Sequence, residues 1–159
     1  MAKKYELDDL LRVREIRKDR AEKNLKKAQQ LLKEAEQALA KAQQELEDYK
    51  NFVIQETQRL YNQVLRKSIN KREIDNLHFM IKELQDRIFD YQKRVEDAML
   101  ACDKAKENLD NCREELRKAE RNIDKIESLK DVWREEMKKE EERQADAEVE
   151  DFTAKPQGQ

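Results

Sequence analysis

Apolar residues recur along this chain at alternating spacings of four and three. One run is Ala21, Leu25, Ala28, Leu32, Ala35, Leu39, Ala42, Leu46, Tyr49 and Val53. A second starts at Ile74 and continues through Leu77, Ile81, Leu84, Ile88, Tyr91, Val95, Ala98, Cys102, Ala105, Leu109, Cys112, Leu116, Ala119, Ile123 and Ile126. The positions between are mostly Lys, Glu, Gln, Arg and Asp. A sustained 4-3 repeat places one narrow apolar seam along a helix, which predicts two coiled-coil segments. Between the runs the in-phase positions are Glu56, Leu60, Gln63, Lys67 and Asn70. Four of these five are polar, so the seam is expected to fail there. Asn70 and Glu73 have the character of an N-cap and its third helical residue, so a second helix is expected to begin at this point. The heptad phase is unchanged across the break, which leaves a single interrupted helix compatible with the pattern.

Layer sizes discriminate between pairings. A hairpin turning at Ser68–Ile69 sets Ala21 against Leu116, Leu25 against Cys112, Ala28 against Leu109, Leu32 against Ala105, Leu39 against Ala98, Ala42 against Val95 and Leu46 against Tyr91. Nearly every layer then joins a small side chain to a larger one and fills the interior evenly; Ala35 against Cys102 is the exception. A parallel in-register dimer stacks Ala on Ala at 21, 28, 35 and 42 and leaves those layers underpacked. The expected fold is all-α: a long, elongated antiparallel two-helix coiled-coil hairpin, monomeric. Helix one is expected over about 5–66, the turn at about 67–70 and helix two over about 71–148, as a single domain 1–148. A disordered tail is expected at 149–159. Leu11 facing Ile126, and Tyr5 near Trp133, would close the base where the termini meet.

Composition removes most other folds and activities. Of 159 residues, 45% are charged and 37% apolar, with one glycine (Gly158) and one proline (Pro156). Average usage would give roughly eleven and eight. With no Gly or Pro over the first 155 positions, a sandwich, barrel or doubly wound sheet is excluded, as is a glycine-rich phosphate loop. The formal charge of −2 lacks the basic excess of a nucleic-acid binder. The longest apolar run is five residues, Ala98–Cys102, far short of the ~20 that span a bilayer, and Met1 to Leu11 has no signal-peptide apolar stretch. These features predict a cytoplasmic protein. Cys102 and Cys112 lie ~15 Å apart along a helix and read as small, reduced seam residues. The single histidine, His78, has neither cysteine within heptad reach. Two helices enclose no pocket in which to perturb a pKa. No catalytic, metal or cofactor role is expected.

Charge and aromatic residues are unevenly spread. Residues 1–30 hold ten basic and six acidic side chains, and residues 134–159 hold five basic and nine acidic. The two faces either neutralise each other or form an electrostatic docking end for another protein. Arg14 and Lys18 fall in seam phase there, and Val13 and Ile16 fall off it. Six of nine aromatics lie between Tyr49 and Tyr91. Of these, Phe52, Tyr61, Phe79 and Phe89 are off the seam and should be exposed, as a partner-binding patch would be.

The stretch Tyr5–Glu22, above all the segment LLRVREIRKDRAEK, resembles the opening of the FliJ/YscO family, the central stalk proteins of flagellar and virulence type III secretion systems. Trp133-Arg134-Glu135-Glu136-Met137-Lys138-Lys139-Glu140-Glu141 resembles the C-terminal part of YscO-like members, which favours the virulence branch. The resemblance implies an antiparallel hairpin like the stalk of rotary ATPases. It implies that the end bearing both termini sits in the hexameric secretion ATPase, that the turn end reaches the export-gate membrane protein, and that secretion chaperones are bound and handed over. Carried onto this chain, the ATPase end comprises Leu7, Leu11, Arg14, Arg17, Lys18 and Trp133. The gate end comprises Phe52, Tyr61, His78, Phe79 and Phe89. The resemblance implies a cytoplasmic location peripheral to the inner-membrane apparatus. Two other readings remain open on the residues alone: a dimeric coiled-coil tether, and a chaperone-like module for export substrates.

Overall fold

The computed structural model describes residues 6–154. Two helices account for nearly all of them: α1, Asp8–Leu65, and α2, Lys71–Ala154. No strand occurs among the described residues. Asp8 and Asp9 lie in the first turn of α1, where carboxylates meet the positive end of the helix dipole. The Leu11 N–H donates to the Leu7 carbonyl at 2.8 Å, just ahead of the helix proper. The second helix starts where its capping residue requires. Asn70 Oδ1 accepts the Glu73 N–H at 2.9 Å, and the Asn70 carbonyl accepts the Ile74 N–H at 3.2 Å. The helix is therefore interrupted between the two runs, despite the unbroken heptad phase.

The helix ends differ from expectation at three places. α1 begins at Asp8 rather than near residue 5, with Glu6 and Leu7 in a turn, and it ends at Leu65. α2 runs to Ala154 instead of stopping at 148. Nothing in its last turns breaks a helix: Ala145, Ala147, Glu148 and Glu150 are good helix formers, and the sequence has no Gly or Pro before Pro156. The expected contact of Tyr5 with Trp133 lies outside the described residues, as does the remainder of the tail beyond Ala154.

The chain divides into two units. One comprises Met1–Leu25 with Cys112–Gln159, and the other Lys26–Asn111. In each, α1 packs antiparallel on α2. In the first unit Lys130 Nζ reaches Asp8 Oδ1 at 3.0 Å, and Arg14–Asn24 share a groove with Cys112–Asn122. In the second, Leu60 packs with Leu77 and Ile81, and the rings of Tyr49 and Tyr91 stack with centroids 4.4 Å apart. The hairpin is thus all-α and two-helical, as the spacing predicts.

The seam is where the 4-3 count puts it. From Ala21 to Val53 and from Leu77 to Ile126 every counted position is buried or half-buried, and Ile74 alone in the two runs is exposed. Ala28, at 1% exposure, is the most enclosed. No polar side chain is buried among the described residues. One expectation is corrected. The seam does not fail after Val53: Leu60 is buried, and Val64 and Leu84 pack against the Leu60–Leu77–Ile81 cluster. Val64, not the in-phase Gln63, takes the last position. A straight helix drifts about 20° per heptad away from a strict seven-residue repeat. In the last turn before the hairpin bend, that drift brings the neighbouring residue inward. Cys102 is buried and Cys112 half-buried, and neither forms a disulfide.

Candidate partner-binding sites

Each unit carries a surface of its own. In the first unit Leu7, Leu11, Arg14 and Lys18 are half-buried, continuing the 4-3 count back from Ala21, and Trp133 of α2 is half-buried as well. Arg17 is exposed. Polar residues have thus entered the seam, and the helices open into grooves beside it. One groove, about 420 Å³, is walled by Arg14, Arg17, Arg20 and Lys118 and floored by the small residues Ala21, Cys112 and Ala119. Glu115, with Asn24 and Asn122, completes the lining. Four cations against one carboxylate make it an anion-seeking surface. The Arg14 Nε is buried without a hydrogen-bond partner among the described residues, although buried N–H donors are ordinarily paired.

Of the six expected residues at this end, Arg14 and Arg17 line that groove. Leu11 lines a second one, about 230 Å³, with Glu127, Lys130, Asp131 and Arg134. Leu7, Lys18 and Trp133 line neither. Lys118 was not among the expected residues. The signal for it was present, because setting Ala21 against Leu116 carries Lys118 and Ala119 opposite Asp19 and Lys18, between Arg17 and Ala21.

In the second unit the exposed rings do not form one patch. Phe52 is 48% exposed, Tyr61 43%, Phe79 62% and Phe89 69%, and His78 is exposed as well. Successive residues on a helix are about 100° apart. Phe52 precedes the seam residue Val53 and Tyr61 follows the seam residue Leu60, so they flank the seam on opposite sides. Phe79, midway between Leu77 and Ile81, points away from it. Phe52 leans on Tyr49, with centroids 5.9 Å apart. Tyr61 lines an open groove of about 390 Å³ with Val53, Ile54, Thr57, Gln58 and Gln85. None of the other four expected residues lines that groove. Ile54, 65% exposed, is the apolar residue that the aromatic count overlooked.

Beneath these rings, the Tyr49 hydroxyl donates to the Leu84 carbonyl at 2.9 Å. Burial pushes its pKa up, opposed by the nearby Arg87 guanidinium. On the exposed side of α1, Arg59 donates two hydrogen bonds to the Glu56 carboxylate, which lie behind the lowered pKa of that acid. Among the described residues no group of three or more His, Cys, Asp or Glu is placed to hold a metal ion. No helix among them is long and apolar enough to cross a membrane.

The fold is a two-helix hairpin with exposed rings in one unit and a charged groove in the other. Known proteins give it a family. The model of the family described as type III secretion protein YscO matches residues 7–155, so the chain belongs to the YscO family of type III secretion proteins. Its fold is similar to that of a YscO homolog from Chlamydia trachomatis, with TM-score 0.79 and 25% identity over 96% of this chain and 93% of that one. It is also similar to the crystal structure of type III secretion protein YscO from Vibrio parahaemolyticus, with TM-score 0.85 and 22% identity over 92% of each chain. A search of curated proteins finds no match.

Proposed function

We propose that this protein is a non-enzymatic stalk component of a type III secretion apparatus. In this reading the unit bearing both termini docks into the hexameric secretion ATPase, and the unit bearing the turn contacts the export-gate membrane protein. Secretion chaperones would be escorted by the same exposed apolar residues. The protein would work in the cytoplasm, at the inner-membrane face of the apparatus. Membership of the YscO family supports the setting. The observation that carries the ATPase assignment is the groove of Arg14, Arg17, Arg20 and Lys118, a charged surface built from both helices of one unit. Charge of this kind speeds encounter with a complementary partner and fixes its orientation.

The test is hydrolysis by the secretion ATPase of the same organism, with and without this protein, beside the variant R14E/R17E/K18E. Stimulation by the wild type that falls several-fold in the variant, at unchanged helix content, is the expected result. Absence of both stimulation and co-elution with the ATPase would discard the stalk reading and favour the coiled-coil tether.

A further inference from the structure

Among the described residues, the last stretch of α2 has nothing to pack on. α1 starts at Asp8, whose partner is Lys130, and residues 138–153 are all exposed. This stretch is acidic: positions 138–154 hold seven carboxylates and three cations. It is also amphipathic. Glu141, Ala145, Glu148, Val149 and Phe152 fall within about 100° of one another around the helix. Val149 is 62% exposed and Phe152 74%. The same unit offers the complementary surface. The groove of Arg14, Arg17, Arg20 and Lys118 is basic, it is lined also by the small residues Ala21, Cys112 and Ala119, and the Arg14 Nε lacks a hydrogen-bond partner among the described residues.

We infer that the acidic end of α2 docks into the basic groove of a second copy of this chain, and that the second copy returns the contact. A straight helix cannot reach the groove on its own molecule, which lies some 20 residues back along it. A two-fold axis solves the geometry. Setting Phe152 of one copy over the Cys112–Ala119 floor of the other places the axis near residues 132–136 of α2. Glu148 then lies alongside Lys118 of the second copy. The segment is about 25 Å long, enough to run the length of the groove. Both contacts form in one association event, so two ends are buried for one loss of free translation, the usual arrangement of a self-complementary dimer. The contact relies on exposed charge, and salt screens it.

The inference does not rest on the ATPase reading, although both use the groove. If both hold, the dimer masks the ATPase-docking surface, and the ring and the second copy compete for it.

The experiment is sedimentation equilibrium on full-length protein at up to about 100 µM, a range suited to a modest, charge-dependent interface. The wild type is expected to rise from 19.2 kDa towards twice that mass in low salt, with association at least tenfold weaker in 0.5 M salt. The groove variant R17E/R20E alone and the tail variant E141K/E148K alone should both remain monomeric. Their equimolar mixture should form a heterodimer, because each reversed groove then meets a reversed tail and each native groove a native tail. Circular dichroism of each variant checks that the helices persist. A wild type that stays monomeric in low salt, or variants that dimerise separately as well as together, would overturn the proposal. Hydrolysis distinguishes the two uses of the groove: E141K/E148K, which cannot self-associate, should stimulate the ATPase at least as well as the wild type.

Discussion

Tyr49 and Tyr91 show what a single residue does in a seam otherwise made of small and medium side chains. Both positions follow from the 4-3 count, but their partners do not. The count sets Leu46 against Tyr91, and the structure stacks Tyr91 on Tyr49, one layer along. A tyrosine reaches beyond its own layer, and spacing alone carries no information about reach. The Tyr49 hydroxyl ends on the Leu84 carbonyl, a bond between the helices. Tyr49→Phe should therefore cost about 0.5–1.5 kcal/mol at neutral pH. The pH dependence has a definite sign. The folded-state pKa is raised by burial, so the stabilisation is fully present below the ordinary tyrosine value of about 10. It is lost as pH rises through the higher folded value, because the unfolded chain ionises first. Urea melts at pH 7 and pH 10.5 should show the wild type losing more stability than Tyr49→Phe over that interval. Equal losses would place the alkaline sensitivity elsewhere.

At the scale of the helices, the boundary between them was legible and the seam beside it was not. Asn70 and Glu73 announce a helix start through local chemistry, a side-chain oxygen accepting a backbone N–H that has no partner within the helix. That chemistry survives folding intact. The continuation of the seam through Leu60 and Val64 depends instead on how the helix rotates over its last turns, which a fixed phase cannot follow. α2 runs on to Ala154, past the expected end at 148, because helix propensity and the absence of breakers keep the stretch helical. Asn70→Ala tests the cap. It should lower stability by about 1 kcal/mol, read as a shifted urea midpoint with an unchanged slope, and Asn70→Asp should recover most of the loss. If Asn70→Ala melted like the wild type, the loop itself, and not its cap, would be fixing the start of α2.

For the molecule as a whole, the family was readable because residues 5–22 and 133–141 resemble its members, and the family model matches residues 7–155; the candidate surfaces were only half readable because the groove is assembled from both helices. Arg14 and Arg17 stand out in a linear charge count. Lys118, about a hundred residues later on α2, joins them only once the pairing is known. The exposed rings of the turn-bearing unit illustrate the reverse error. Close in sequence, they read as one patch, but the 100° rotation per residue spreads them around the hairpin. A single flat partner surface therefore cannot cover Phe52, Tyr61 and Phe79 together. If the export gate or a chaperone binds this unit, it must engage one flank or wrap the hairpin, and paired substitutions separate those cases. Phe79→Ala with Phe89→Ala should reduce secreted substrate in the culture supernatant several-fold without changing helix content or the protein's cellular level. Phe52→Ala alone, on the other flank, should leave export near normal if one flank suffices and reduce it comparably if the partner wraps. Wild-type export by the Phe79/Phe89 variant would remove these rings from the binding surface and leave the groove of Ile54 and Tyr61 as the candidate contact.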